Sequence, residues 1–130
     1  MSKHLLDTEA LISYLAGHQR AVGLITRLNE EDNVLGVCAI NIAELYSGLS
    51  EDQRSRTDRL IDALYYFEMT AQAAKQAGSW RYDFARKGIS LSVADTLIAA
   101  IAVENSATVV TGNVKDYPMV EVRILDLFTS

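Results

Sequence analysis

Residues 89 to 118 read ISLSVADTLIAAIAVENSATVVTGNVKDYP, and this stretch decides the fold because it specifies a complete helix and the strand that follows it. Ser92 stands three residues before Asp95, the capping-box spacing in which a hydroxyl and a carboxylate each accept a hydrogen bond from a free backbone N–H. The helix is therefore predicted to begin at about Val93. Apolar residues then occupy most of its sides as far as Asn105, which is typical of a helix buried against a sheet.

The same stretch continues into a short β-branched run, Thr108 to Thr111, which is bounded by Gly112. Such a run predicts a buried strand and its turn rather than another helix. A crossover helix packed on a parallel sheet runs antiparallel to the strands, so its N-terminus lies at the same edge as the strand's C-terminal end. Asp95 and Asp116 are therefore predicted to share the edge where open α/β sheets bind ligands.

The rest of the chain alternates short apolar strands with amphipathic helices. Further strands are predicted at Lys3–Leu6, at 34–39, at 65–69 and at 120–125. Further helices are predicted from Thr8 to the closing Gly17, through the apolar period of 22–28, from Asn41 onward, at 51–64, and at 71–87 with Ala74, Ala77, Trp80 and Phe84 facing inward. This order predicts an α/β fold, a three-layer α/β/α domain over residues 1–130 with a mostly parallel central sheet of four to five strands.

The composition is that of an ordinary globular protein, with 49% hydrophobic and 22% charged residues. The N-terminus reaches an acid after only two apolar residues, so we expect no signal peptide, no membrane span and a cytoplasmic location. A net charge of −5 argues against unspecific binding to polyanions, and a nucleic-acid partner would need local patches or metal ions. The single cysteine, Cys38, lies in an apolar run and is predicted to be a small core residue rather than a nucleophile.

Four acids are predicted to meet at one rim of the sheet. Asp7 ends the first strand, and Asp95 and Asp116 have been placed above. Glu44 starts the helix after the second strand, three residues after Asn41, which is the same capping-box offset as that of Ser92 and Asp95. Each acid alone could be a helix cap or a turn residue, but those roles do not predict that all four share an edge. Like charges this close raise one another's pKa unless a cation compensates. With oxygen ligands only, the expected ion is Mg²⁺ or Mn²⁺.

Three segments together resemble a known family. LLDTEALISYL at 5–15, INIAELYSGL at 40–49 and SVADTLIAAIAVENSATVVTGNVKDYP at 92–118 are similar, in residues and in order, to the PIN-domain ribonucleases. The length is similar to that of the VapC-type toxins of bacterial toxin–antitoxin pairs. One departure is Asn41, which stands where serine or threonine is commoner in the family and which caps a helix equally well.

The resemblance implies that Asp7, Glu44, Asp95 and Asp116 are the catalytic acids and the Mg²⁺ or Mn²⁺ ligands. In this hypothesis the first three bind the principal metal, while Asp116 positions a second metal or the attacking water. It also implies cleavage of structured RNA, such as transfer or ribosomal RNA, with translation arrest as the outcome. The expected partners are the RNA substrate, a VapB-like antitoxin that covers the site, and a second copy in a homodimer.

Four polar residues are candidates for supporting the acids or for contacting the substrate. Thr8 matches the hydroxyl that the family carries beside the first acid, and Thr111 and Asn113 match the polar residues of its turn. Lys115 neighbours Asp116 and is the best candidate for a phosphate contact. The arginines at 54, 56 and 59 and the basic group at 81, 86 and 87 are more typical of solvated helix faces. Tyr46, Tyr65 and Tyr66 are predicted to pack in the core rather than to line a partner groove.

Two other functions remain open at this point. A receiver-like signalling domain is also small, acidic and α/β, but it needs paired acids after the first strand and an aspartate ending a central strand, and neither is present. A PIN-like scaffold that binds RNA or protein without cutting would share the fold. Cleavage assayed with and without EDTA separates this scaffold from a nuclease.

Overall fold

Short strands alternate with helices throughout residues 2–128, which are the residues described by this computed structural model. The strands are β1 (Lys3–Leu6), β2 (Val34–Cys38), β3 (Tyr65–Phe67), β4 (Ala107–Thr111) and β5 (Ile124–Asp126). The helices are α1 (Thr8–Leu15), α2 (Gln19–Glu30), α3 (Ala39–Ser47), α4 (Glu51–Asp62), α5 (Ala71–Ala85) and α6 (Val93–Glu104), and a single 3₁₀ turn spans Val114–Asp116. Among the helices of these residues, none is both long and apolar enough to cross a membrane.

The five strands form one parallel sheet in the order β3-β2-β1-β4-β5. Strand β1 pairs with β2 on one side and with β4 on the other, so the direction of winding reverses between β1 and β4. In open α/β sheets this reversal opens a crevice at the carboxyl ends of the strands, and ligands bind there. A receiver-like fold has a different strand order, 2-1-3-4-5, which excludes that alternative.

Helices cover both faces of the sheet, because successive strand residues point to opposite sides. Leu5 and Val109 pack with α5 and α6, whereas Leu6 and Val110 pack with α1, α2 and α3. Helix α6 is buried on most sides, as its sequence predicts, and Cys38 is a fully buried core residue. The predicted three-layer α/β/α architecture with a parallel sheet is therefore confirmed.

Three details differ from the sequence expectation. Ala73 rather than Ala74 is buried in α5, while Ala77, Trp80 and the partly buried Phe84 pack inward as predicted. The last strand is shorter than predicted, because the Val122 N–H bonds to the Met119 carbonyl in a turn and Val120 is 96% exposed. The predicted third strand likewise ends at Phe67 rather than at residue 69.

The prediction that the three tyrosines pack in the core was wrong for two of them. Tyr65 and Tyr66 are 56% and 47% exposed, because β3 is an edge strand that pairs only with β2. Tyr46 is half-buried against the α1–α2 side of the core, and its hydroxyl donates to Asp58.

We expect Gly36→Ala to destabilise the protein by about 3 kcal/mol, the upper end of what overpacking usually costs. Gly36 lies in β2 opposite Tyr65, and a Cβ there would stand 2.6 Å from the Tyr65 carbonyl oxygen and 2.8 Å from Phe67 Cδ2. A backbone oxygen held in a sheet cannot move aside. Urea unfolding measures the loss.

The matched control is Gly23→Ala, because nothing lies within 4 Å of a Cβ at this exposed position of α2. That change should stabilise the protein by about 0.5–1 kcal/mol through helix propensity. Equal effects of the two substitutions would contradict the close approach of β2 and β3.

Candidate active site

Asp7 joins the end of β1 to the start of α1. Its Oδ1 accepts a hydrogen bond of 2.9 Å from the Ala10 backbone N–H, so Asp7 is the N-cap of α1. Its Oδ2 accepts a hydrogen bond of 3.2 Å from the Tyr117 hydroxyl. The residue is only 5% exposed. Burial raises the pKa of this carboxyl, and hydrogen bonds from Thr111, Ala10 and Tyr117 oppose that rise.

Glu44 does not stand where the capping-box spacing placed it. Helix α3 begins at Ala39, so Glu44 is its sixth residue rather than its third, and Ala39 belongs to the helix rather than to β2. The prediction that Asn41 begins this helix was wrong for the same reason. The cause is the buried Asn41 side chain, which accepts from the Cys38 N–H at 2.8 Å and donates to the Leu6 carbonyl oxygen. Asn41 thereby joins the end of β1 to the start of α3.

The exposed Glu44 carboxylate nevertheless contacts Thr8, the residue that follows Asp7. Thr8 Oγ1 donates to Glu44 Oε1 at 2.6 Å, across 36 residues of sequence. The predicted role of Thr8 beside the first acid therefore has a structural counterpart, since this hydroxyl orients the second acid toward the helix that Asp7 caps.

Asp95 is the third residue of α6, as predicted. Ser92 is the N-cap, and its Oγ accepts from the Asp95 N–H at 3.0 Å. The reciprocal bond, from the Ser92 N–H to the Asp95 carboxylate, is not among the hydrogen bonds of the described residues. Burial raises the pKa of the Asp95 carboxyl, a hydrogen bond from Ser92 opposes that rise, and the charges of Asp116, Glu44 and Asp7 add to it. The other three acids are thus close enough to Asp95 to disfavour its charge.

The turn after β4 supplies the fourth acid and two of the predicted polar residues. Thr111 is fully buried, and its Oγ1 accepts from the Asn113 N–H at 2.9 Å. The Asn113 carbonyl oxygen accepts from the Asp116 N–H at 3.0 Å, which closes the 3₁₀ turn. The Asn113 side-chain amide donates to the carboxylate of Glu9. Asp116 is therefore a turn residue and a half-buried member of the acidic rim as well.

All four acids line one open cavity of about 290 Å³ at the carboxyl edge of the sheet. The complete lining is Asp7, Thr8, Glu9, Ile12, Glu44, Asp95, Ile98, Asn113, Asp116 and Tyr117. Within the part of the chain that the structure describes, no basic residue belongs to this lining. Lys115 is exposed and stands outside it, and Arg56 lines a neighbouring groove that shares only Ile12 and Glu44 with the cavity.

The chemistry of this lining fits a hydrated divalent cation. Five carboxylates, those of the four predicted acids and of Glu9, have no basic neighbour in this lining, and they leave negative charge that a cation would compensate. Within residues 2–128, however, no three His, Cys, Asp or Glu side chains lie close enough to hold one ion together. Mg²⁺ keeps several waters and takes only one or two carboxylates directly, so it suits acids that share a cavity at a distance. A cage of three or four direct ligands, as a structural zinc site requires, does not fit.

Sequence reasoning missed four residues of this cavity, the apolar Ile12 and Ile98 and two polar residues, Glu9 and Tyr117. Glu9 is an acid in the first turn of α1, where the positive end of the helix dipole favours an acid whether or not it belongs to a site. Tyr117 precedes a proline and has the pattern of a turn residue, yet it is 3% exposed and hydrogen-bonded to Asp7. Both contacts join residues more than 100 positions apart, so local spacing carried no signal for them.

Comparison with known proteins agrees with this geometry. Ribonuclease VapC2 of Rickettsia felis is 27% identical over 128 residues, which cover 95% of this chain and 96% of that protein. Ribonuclease VapC10 of Mycobacterium tuberculosis is 28% identical over 117 residues, which cover 90% and 87%. A chain in the crystal structure of DNA-bound VapBC from Salmonella typhimurium superposes with a TM-score of 0.83 at 27% identity, covering 98% of this chain and 99% of that one.

The family match covers most of the sequence. Residues 4–117 match the family described as PIN domain. This range contains all four acids and the carboxyl ends of β1 and β4, where the crevice opens. Because the match spans far more than half of the chain and the strand order and layers agree with it, this protein belongs to the PIN-domain family.

Proposed function

We propose that this protein is a Mg²⁺- or Mn²⁺-dependent endoribonuclease toxin that cleaves structured RNA, such as transfer or ribosomal RNA, and so arrests translation. In this proposal residues 1–130 form one PIN domain that works in the cytoplasm as a homodimer. A VapB-like antitoxin neutralises it by covering the acidic cavity.

One observation carries the proposal: four acids from separate parts of the chain line a single cavity at the switch point of the sheet. Neutral residues there would suffice for a helix cap or a turn. Packing four carboxylates together is unfavourable for folding, since each charge opposes the others. Such a cost is typical of a functional site rather than of a structural one.

The family and the relatives support the reaction type. PIN domains form a nuclease family whose ribonucleases generally depend on a divalent metal. The curated relatives are named as ribonucleases, and the similar solved chain from Salmonella typhimurium comes from a VapBC complex. On the basis of these names we propose an antitoxin partner and an RNA substrate for this chain.

The four acids differ in burial and in the hydrogen bonds that hold them, and we infer different roles from this. Asp7 is held at both carboxylate oxygens, so it provides a fixed ligand at the floor of the cavity. Asp95 and Asp116 are half-buried, and Glu44 is exposed and tethered only through the Thr8 hydroxyl. We assign Asp7, Glu44 and Asp95 to the principal metal, which they would hold partly through its bound waters rather than all directly, and Asp116 to a second metal or the attacking water.

A bound divalent cation would activate water and stabilise charge on the leaving oxygen of the phosphodiester. The acids themselves would repel the RNA phosphate, so the chain's own contribution is to hold the cation. No basic side chain of the described residues lines the cavity and could replace that cation. We expect products with a 3′-hydroxyl and a 5′-phosphate. Lys115, exposed beside the cavity, is the candidate for a contact to a neighbouring phosphate.

The experiment is an RNA cleavage assay with protein purified free of any antitoxin. We expect cleavage of transfer or ribosomal RNA in Mg²⁺ or Mn²⁺, complete loss in excess EDTA, and recovery when Mg²⁺ is added beyond the chelator. Removal of the ion should abolish rather than reduce the rate, because the cavity has no basic residue to take its place.

Two results would overturn the proposal. Cleavage that continues in EDTA would show that the acids do not act through a metal. RNA binding without cleavage under any divalent ion would show instead a PIN-like scaffold. An inactive Asp95→Asn protein, prepared in parallel, excludes a contaminating ribonuclease.

A further inference from the structure

The segment that carries the fourth acid is fastened to the start of α1 at both of its ends. We call residues 112–117 the acidic turn. At one end the Asn113 side-chain amide donates to the Glu9 carboxylate, and at the other the Tyr117 hydroxyl donates to Asp7 Oδ2 at 3.2 Å. Asp116 lies between these two contacts.

The first contact depends on a close approach. Glu9 crosses directly over Gly112, where a Cβ would collide with the Glu9 Oε1 atom and with the Phe128 ring. Any larger residue at 112 would push Glu9 away from Asn113. Because Gly112 has no side chain, the Glu9 carboxylate can reach the acidic turn, where it accepts a hydrogen bond from the Asn113 amide.

The second contact is buried. Tyr117 is 3% exposed, and a buried phenol needs a hydrogen-bond partner, which here is Asp7. Tyr117 directly follows Asp116 in the chain, so the bond that orients the Asp7 carboxylate also fixes the backbone next to Asp116. By contrast, the side chains in the middle of the turn, Val114 and Lys115, are exposed.

We propose that Glu9 and Tyr117 are positioning residues that clamp the acidic turn to α1 and so hold Asp7 and Asp116 on opposite sides of one metal-binding cavity. This inference rests on the proposed metal-dependent function. Glu9 acts through Asn113 rather than as a ligand, because its carboxylate already accepts the Asn113 amide. Groups that orient metal ligands typically change affinity 10- to 100-fold when removed.

The first test compares Glu9→Ala with Glu9→Gln by titrating Mn²⁺ into the folded protein in a calorimeter. A glutamine oxygen can still accept from the Asn113 amide, whereas alanine cannot. We expect Mn²⁺ affinity to fall about tenfold in Glu9→Ala and to stay within about twofold of wild type in Glu9→Gln. Glu30→Ala, at an exposed position in the last turn of α2, is the matched control and should not change affinity.

The second test is Tyr117→Phe, which removes one hydroxyl and keeps the ring. We expect about tenfold weaker Mn²⁺ binding, together with faster hydrogen exchange at the Asp116 and Tyr117 amides. Those amides bond to the Asn113 and Val114 carbonyls inside the acidic turn, so they report directly on its order. Tyr82→Phe is the control, because Tyr82 is 63% exposed, lies outside the cavity lining and has a hydroxyl that accepts from the Arg86 guanidinium.

The outcomes separate this inference from the proposed function. Failure of the wild-type protein to bind Mn²⁺ would overturn the metal site and, with it, the role assigned to the clamp. Normal wild-type binding with unchanged affinity and exchange in Glu9→Ala and Tyr117→Phe would overturn the clamp alone. Equal losses in Glu9→Ala and Glu9→Gln would make Glu9 a charged ligand and contradict its positioning role.

Discussion

Replacing Asp95 with asparagine is expected to abolish RNA cleavage while leaving the fold intact. Loss of a group that merely orients a metal ligand costs 10- to 100-fold, so loss of a ligand itself should lower kcat/KM by more than about 100-fold. The backbone N–H of residue 95 supplies the helix-capping bond to Ser92, and asparagine keeps it. Initial rates on a defined RNA, with circular dichroism of the same samples, measure both effects.

The same substitution should stabilise the protein when metal is absent. Burial and the neighbouring acids raise the pKa of Asp95 above its usual 3.8, so the folded state binds this proton more tightly than the unfolded state does. The wild type therefore loses stability as the pH rises from 3.8 through the higher pKa of the folded state. An asparagine side chain has no such proton to lose. In EDTA the variant's melting temperature should exceed that of the wild type at neutral pH, and the difference should shrink below pH 3.8.

Asp83→Asn provides the matched control, since Asp83 is exposed on α5 and lies outside the cavity. It should cleave RNA at the wild-type rate. Wild-type cleavage by the Asp95→Asn protein would remove Asp95 from the catalytic set, and an equal gain in melting temperature from both substitutions would show that crowding of the acids is not the cause.

Asp7→Ala and Asp7→Asn should both lose cleavage, but only the alanine should also destabilise the fold. Alanine removes the N-cap of α1, which is worth about 1 kcal/mol, and leaves the buried Tyr117 hydroxyl without its acceptor, at about 1–3 kcal/mol. Asparagine can still cap α1 and still offers a polar partner to Tyr117. Urea denaturation should therefore show about 2–4 kcal/mol lost in alanine and much less in asparagine.

This difference changes how an inactive Asp7→Ala protein is interpreted. The two hydrogen bonds that the Asp7 carboxylate accepts show that it also stabilises the junction of β1 and α1. Asp7→Asn is therefore the variant that shows the loss of catalysis without a large loss of stability. Equal stabilities of the two variants would contradict the capping role.

The sequence predicts the gathering of the acids because that feature follows from topology. Strand ends and helix starts share an edge whenever helices connect parallel strands, so Asp7, Glu44, Asp95 and Asp116 could be assigned to one rim without coordinates. Helix α6 was equally predictable, because its serine cap and its apolar faces are local features.

Features that depend on contacts across the chain were not predictable. Helix α3 begins three residues earlier than its capping-box spacing suggests, because the Asn41 side chain donates to the Leu6 carbonyl oxygen of another strand. The exposure of Tyr65 and Tyr66 follows from the edge position of β3, which only the strand order reveals. Glu9 and Tyr117 belong to the site through partners more than 100 residues away.

The pairing of β1 directly with β4 has a consequence for synthesis on the ribosome. Strand β1, which borders the crevice on one side, spans Lys3–Leu6, but its partner β4 begins only at Ala107. Contacts this distant in sequence form late, after most of the chain has emerged. A nascent or prematurely released chain that ends before residue 107 carries Asp7, Glu44 and Asp95 but lacks the strand and turn that complete the cavity, so it is expected to be unable to cleave RNA.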